Sequence, residues 1–115
     1  SNKTNIQEIL NTYKNVGSNE ADSFFNKNKS ELSNLFGTLP QEYSHDDLEA
    51  SLSKYINDRY FDNDISDIVK DIQDDLEDVI SSESEDFHTH FKKVIDSFRS
   101  GFTSKIADLV GSLIG

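Results

Sequence analysis

Apolar residues recur at three- and four-residue intervals along most of this chain, and no stretch alternates apolar with polar positions as a half-buried strand would. The spacing predicts an all-α fold. A first helix is expected after Thr4, where the Thr4 hydroxyl and Gln7 make a capping box, with Ile6, Ile9, Leu10, Tyr13 and Val16 as its stripe and Gly17 as its stop. A second runs from about Glu20 and carries Phe24, Phe25, Leu32, Leu35 and Phe36; the polar run 26–31 marks a break or a fresh start at Ser30, and Gly37 and Pro40 end it.

The third helix is expected over 45–60, capped by Ser44 with Asp47 and stapled by Tyr43 against Leu48, with Leu48, Leu52, Tyr55 and Ile56 facing inward. The fourth, over 64–80, has the sharpest pattern. At 100° per residue Ile65, Ile68, Val69, Ile72, Leu76, Val79 and Ile80 fall in one arc about 120° wide, and Asp64, Asp67, Asp71, Asp74, Asp75, Glu77 and Asp78 all lie outside it. Ser82 and Glu85 then offer a capping box for a fifth helix bearing Phe87, Phe91, Val94, Ile95 and Phe98, with Gly101 as a candidate interruption. Beyond it, Phe102, Ile106, Leu109, Val110, Leu113 and Ile114 form a stripe of low charge density, either core or an interface with a partner, a second copy of the chain or a lipid surface. Short connections between these elements suit a single domain, 1–115, built as a helical bundle of about five antiparallel helices.

Length agrees with that picture: 115 residues suffice for one core without metal or disulfide staples. There is no cysteine, which removes disulfides, thiolate zinc sites and thiol catalysis together while leaving the redox compartment open. The chain opens Ser1-Asn2-Lys3 and contains no methionine, which points to a removed leader or tag and leaves a mature secreted chain and the bacterial cytoplasm both open. Asn2-Lys3-Thr4 and Asn28-Lys29-Ser30 match the glycosylation sequon, although chance matches are common in a chain rich in Asn and Ser. No run of apolar residues is long enough for a membrane span.

Charge changes the picture most. Of 22 acidic residues twelve fall between Asp58 and Asp86, opposed by Arg59 and Lys70 alone, so these 29 positions carry net −10 of the chain's −11. A surface of that sign repels nucleic acid and anionic lipid and favours a basic protein partner. Asp67, Asp71, Asp74, Asp75 and Asp78, followed by Glu83, Glu85 and Asp86, are the candidate partner-binding residues. Carboxylates three or four apart on one helix repel by a few tenths of a kcal/mol per pair, roughly, so stability alone would not select them.

Other chemistry finds little footing. Asp62, Asp64 and Ser66 occupy the first, third and fifth positions of a calcium-type loop, but the sixth is Asp67 instead of glycine and the twelfth is Gln73 instead of glutamate. His88 and His90, two apart on a helix, point about 200° away from each other and cannot chelate one metal; beside Glu83, Glu85 and Asp86 they read as surface histidines without a role or, as the alternative, as pH-responsive groups. No nucleophile elbow or glycine-rich phosphate loop is present. The reading is therefore a non-enzymatic protein-binding module, of inhibitor or immunity type, with no catalytic residue, metal or cofactor. The alternative is a secreted helical carrier whose Phe24, Phe25, Phe36, Phe87, Phe91, Phe98 and Phe102 line an apolar cavity, or a homo-oligomer that assembles through 102–114.

Overall fold

The computed structural model describes residues 2–37, 42–62, 64–80 and 86–114. Their regular structure is helical, in four α-helices rather than five: α1 (Asn2–Phe36), α2 (His45–Ile56), α3 (Ser66–Ile80) and α4 (Phe87–Ile114), with a π-helical turn, Asn57–Phe61, extending α2. The count falls because the stop expected at Gly17 does not occur, so the first two predicted helices are one. α1 runs for 35 residues through Gly17 and through the polar stretch 26–31, and α4 runs for 28 residues through Gly101. It also begins at Asn2, so Thr4 sits inside the helix and not at its cap.

The two glycines are contact points between helices. A Cβ on Gly17 would lie 2.2 Å from the Phe98 carbonyl oxygen and 3.0 Å from the Phe102 nitrogen; one on Gly101 would lie 2.2 Å from the Lys14 carbonyl oxygen. Removing both side chains lets the backbones of α1 and α4 touch where they cross, and packing there outweighs the ~1 kcal/mol by which glycine disfavours a helix. The contacts advance together along both chains. Ser97 Oγ donates to the Leu10 carbonyl oxygen at 3.0 Å, Gly101 meets Lys14, and the Lys105 ammonium lies 3.9 Å from Asp22. α1 and α4 are thus parallel, in contrast to the antiparallel neighbours that short connections predict.

Between them, α2, the π-turn and α3 return in the opposite sense. His45 meets Asp108 near the end of α4 while Asn57 meets Arg99 near its middle, and α3 joins the start of α4 through a short connection. α1 spans about 52 Å at 1.5 Å per residue, matching the molecule's 52 Å long axis. The radius of gyration, 15.9 Å, exceeds the roughly 13 Å expected of a compact chain of this length.

At the π-turn the Asp62 N–H reaches back five residues to the Asn57 carbonyl oxygen, at 3.0 Å. The wider turn brings the adjacent residues Tyr60 and Phe61 both into the core. Tyr60 stacks on Phe102 with ring centres 4.4 Å apart, and Phe24 and Phe61 meet the same ring edge-on. Phe25 and Phe36 are buried too, while Phe87 and Phe91 stack on each other, half-exposed, at the start of α4. Phe98, Phe102, Ile106 and Val110 are fully buried, so the low-charge stripe of the last segment is core; Leu113 retains 37% exposure. Pro40 lies outside the described residues.

Candidate functional site

α3 presents the acidic face as its spacing requires. Ile72, Leu76 and Ile80 are buried, while Asp67, Asp71, Asp74, Asp75, Glu77 and Asp78 are exposed. The five aspartates fall within an arc of about 100°. The sequence placed the helix start near Asp64; the helix begins at Ser66, which leaves Asp67 in the first turn, where a carboxylate meets the positive end of the helix dipole. Asp74, Asp75, Glu77 and Asp78 lie toward the negative end, with no basic residue in the last turn. The dipole therefore disfavours them there.

Their surroundings separate these carboxylates by role. Asp75, at the edge of the apolar arc, accepts a 2.5 Å hydrogen bond from the Tyr13 hydroxyl and so ties α3 to α1. Asp74 lies 3.8 Å from the Lys70 ammonium, an exposed pair worth little. Asp67, Asp71 and Asp78 meet no cation and accept no hydrogen bond among the described residues. Asp86 caps α4: its carboxylate accepts from the His88 and Thr89 backbone N–H groups at 3.1 and 3.4 Å and from the Thr89 hydroxyl at 2.6 Å. Those bonds from Thr89, side chain then backbone, hold its carboxyl below the usual range. Glu83 and Glu85, and the capping box expected of Ser82, lie outside the described residues. The accessible patch accordingly centres on Asp67, Asp71, Asp74 and Asp78.

The field of this face is felt across the helix interface. Burial pushes the Tyr13 phenol well above its ordinary value, and its hydrogen bond to Asp75 and the negative charges of Asp75, Asp71 and Asp74 add to that push. Tyr60 is raised in the same direction, by burial first and then by Glu20, whose carboxylate accepts its hydroxyl at 3.1 Å. At the other candidate sites, Asp62 and Asp64 are exposed in the turn before α3, and helix from Ser66 onward occupies the rest of the twelve-residue stretch that a calcium loop would need. His88, exposed, and His90, half-buried, occupy the first turn of α4.

Sequence reasoning overlooked a second cluster. His45, Asp46 and Glu49, in the first turns of α2, bring ligating atoms within 4.8 Å of one another, and Asp108 reaches His45 from α4. Asp46 and Glu49 also line a cleft of about 470 Å³ between α2 and α4, where Arg99 lies over the Phe61 ring and donates to Asn57 Oδ1 at 3.1 Å. The i, i+4 spacing of His45 and Glu49 was legible in the chain; the approach of Asp108, 63 positions from His45, was not. Among the described residues no charged side chain is buried.

Compared with known protein families, curated proteins and solved structures, the chain matches none.

Proposed function

We propose that the protein is a non-enzymatic binding module whose acidic α3 face docks on a basic surface of another protein, as an inhibitor or immunity-type protein does. One observation carries this reading: Asp67, Asp71 and Asp78 project from a single arc of α3 with no countercharge among the described residues. That arrangement raises mutual repulsion, which a cationic partner would relieve. Asp74 contributes at the patch, while Asp75 and Asp86 act mainly within the fold, through Tyr13 and the α4 cap. Glu83 and Glu85, between α3 and α4 in the sequence, add two further negative charges to this stretch of the chain. The carrier reading draws less support, since Phe24, Phe98 and Phe102 fill the core by direct ring contacts.

The test is capture of partners from the native source at low and high salt by the wild-type chain and by an Asp67→Asn, Asp71→Asn, Asp78→Asn variant, followed by surface plasmon resonance on the partner recovered. Steering by the acidic face requires slower association for the variant, with the difference shrinking as salt shortens the Debye length from about 10 Å at 0.1 M. Kinetics that are unchanged and independent of salt refute the proposal.

A further inference from the structure

We propose that His45, Asp46 and Glu49 form a binding site for a divalent first-row transition ion, of which zinc is the representative, and that Asp108 is the positioning residue behind the histidine. His45 and Glu49 are four apart on α2 and share a face, and the ligating atoms of all three residues lie within 4.8 Å of one another. An ion bound tetrahedrally at about 2.0–2.2 Å from each ligand sets neighbouring ligand atoms about 3.4 Å apart. Closing on it takes a movement of about 1 Å by side chains that stand at the surface.

The independent observation is at the far side of the imidazole. His45 Nε2 lies 2.7 Å from Asp108 Oδ1, a hydrogen-bonding distance, whereas Nδ1 lies 3.8 Å from Glu49 Oε1, too far for a hydrogen bond. In the neutral imidazole this contact places the proton on Nε2 and leaves Nδ1 on the Glu49 side. A carboxylate that holds the non-ligating N–H of a metal-bound histidine is the usual second partner at such sites, and here it comes from a different helix. Asp46 takes no part in the α2 cap, where Ser44 and Asp47 satisfy each other, so its carboxylate is available as the third ligand. Imidazole as a ligand favours zinc, cobalt, nickel or copper over calcium and magnesium, which take oxygen. Three protein ligands leave the remaining coordination to water.

Isothermal titration of the full chain with zinc chloride tests this, with cobalt absorption as a second readout and circular dichroism to confirm folding of each variant. We expect one saturable equivalent, weakened at least about tenfold by His45→Ala and, separately, by Glu49→Gln, and about tenfold by Asp108→Asn. Imidazole nitrogen shifts should report the Nε2–H tautomer in the metal-free chain and a mixture in the Asp108→Asn variant. An Asp71→Asn, Asp74→Asn variant should bind as the wild type does. The proposal is overturned if His45→Ala leaves affinity unchanged, if loss of Asp71 and Asp74 weakens binding as much, which would indicate an ion cloud on α3, or if His88→Ala and His90→Ala abolish it.

Discussion

Replacing Gly17 by alanine separates two accounts of the glycines in α1 and α4. If Gly17 were merely a poor helix former, alanine would stabilise the protein by about 1 kcal/mol through propensity alone. The structure predicts the opposite sign. The new Cβ would lie 2.2 Å from the Phe98 carbonyl oxygen and 3.0 Å from the Phe102 nitrogen, both backbone atoms that no rotamer change can move. Restoring an ordinary contact of about 3.5 Å requires α1 and α4 to separate by about 1 Å at their crossing. That shift loosens Phe98 and Phe102, both fully buried, and overpacking against two backbone atoms falls in the upper part of the usual range, about 2–3 kcal/mol, more than the propensity gain returns. The expected net loss of about 1–2 kcal/mol should lower the melting temperature by roughly 4–8 °C in a chain of this size. Gly101→Ala should behave alike, since its Cβ would sit 2.2 Å from the Lys14 carbonyl oxygen. Because one separation of the helices relieves both clashes, the double variant should lose less than the sum of the two. Urea denaturation followed by circular dichroism measures all three. A Gly17→Ala protein more stable than the wild type would refute the close crossing.

Leu76→Ala should cost about 2–5 kcal/mol, since Leu76 is fully buried, while Asp74→Ala, at an exposed position, should be neutral or slightly stabilising; chemical denaturation that reverses this order would show the inward face of α3 to be misassigned. Alkali should destabilise the protein through its tyrosines. Tyr13 and Tyr60 are raised in the folded state, so their contribution is complete below the unfolded phenol value of about 10 and is lost as pH climbs through the folded values. Stability measured between pH 9 and 12 should therefore fall less steeply for Tyr13→Phe and Tyr60→Phe than for the wild type, and equal slopes would contradict the assignment.

The chain by itself determined whatever rests on neighbours three and four residues apart. The Ser44–Asp47 capping box set the start of α2 at His45, the isoleucine, valine and leucine positions of α3 set its buried face, and the same periodicity placed Asp67, Asp71, Asp74 and Asp78 on the outside. Such features need only the helical repeat and local hydrogen bonds, which every stretch of sequence carries with it. Tertiary structure decided the rest. Gly17 and Gly101 read locally as helix ends, but each is worth only ~1 kcal/mol of propensity, and close backbone packing between α1 and α4 overrides that. The parallel course of α1 and α4, the π-turn that buries Tyr60 beside Phe61, the bond from Tyr13 that draws Asp75 into the fold and the reach of Asp108 to His45 all join positions distant in sequence or depend on how the helices pack. A spacing rule sees one helix at a time, and these contacts exist only between helices.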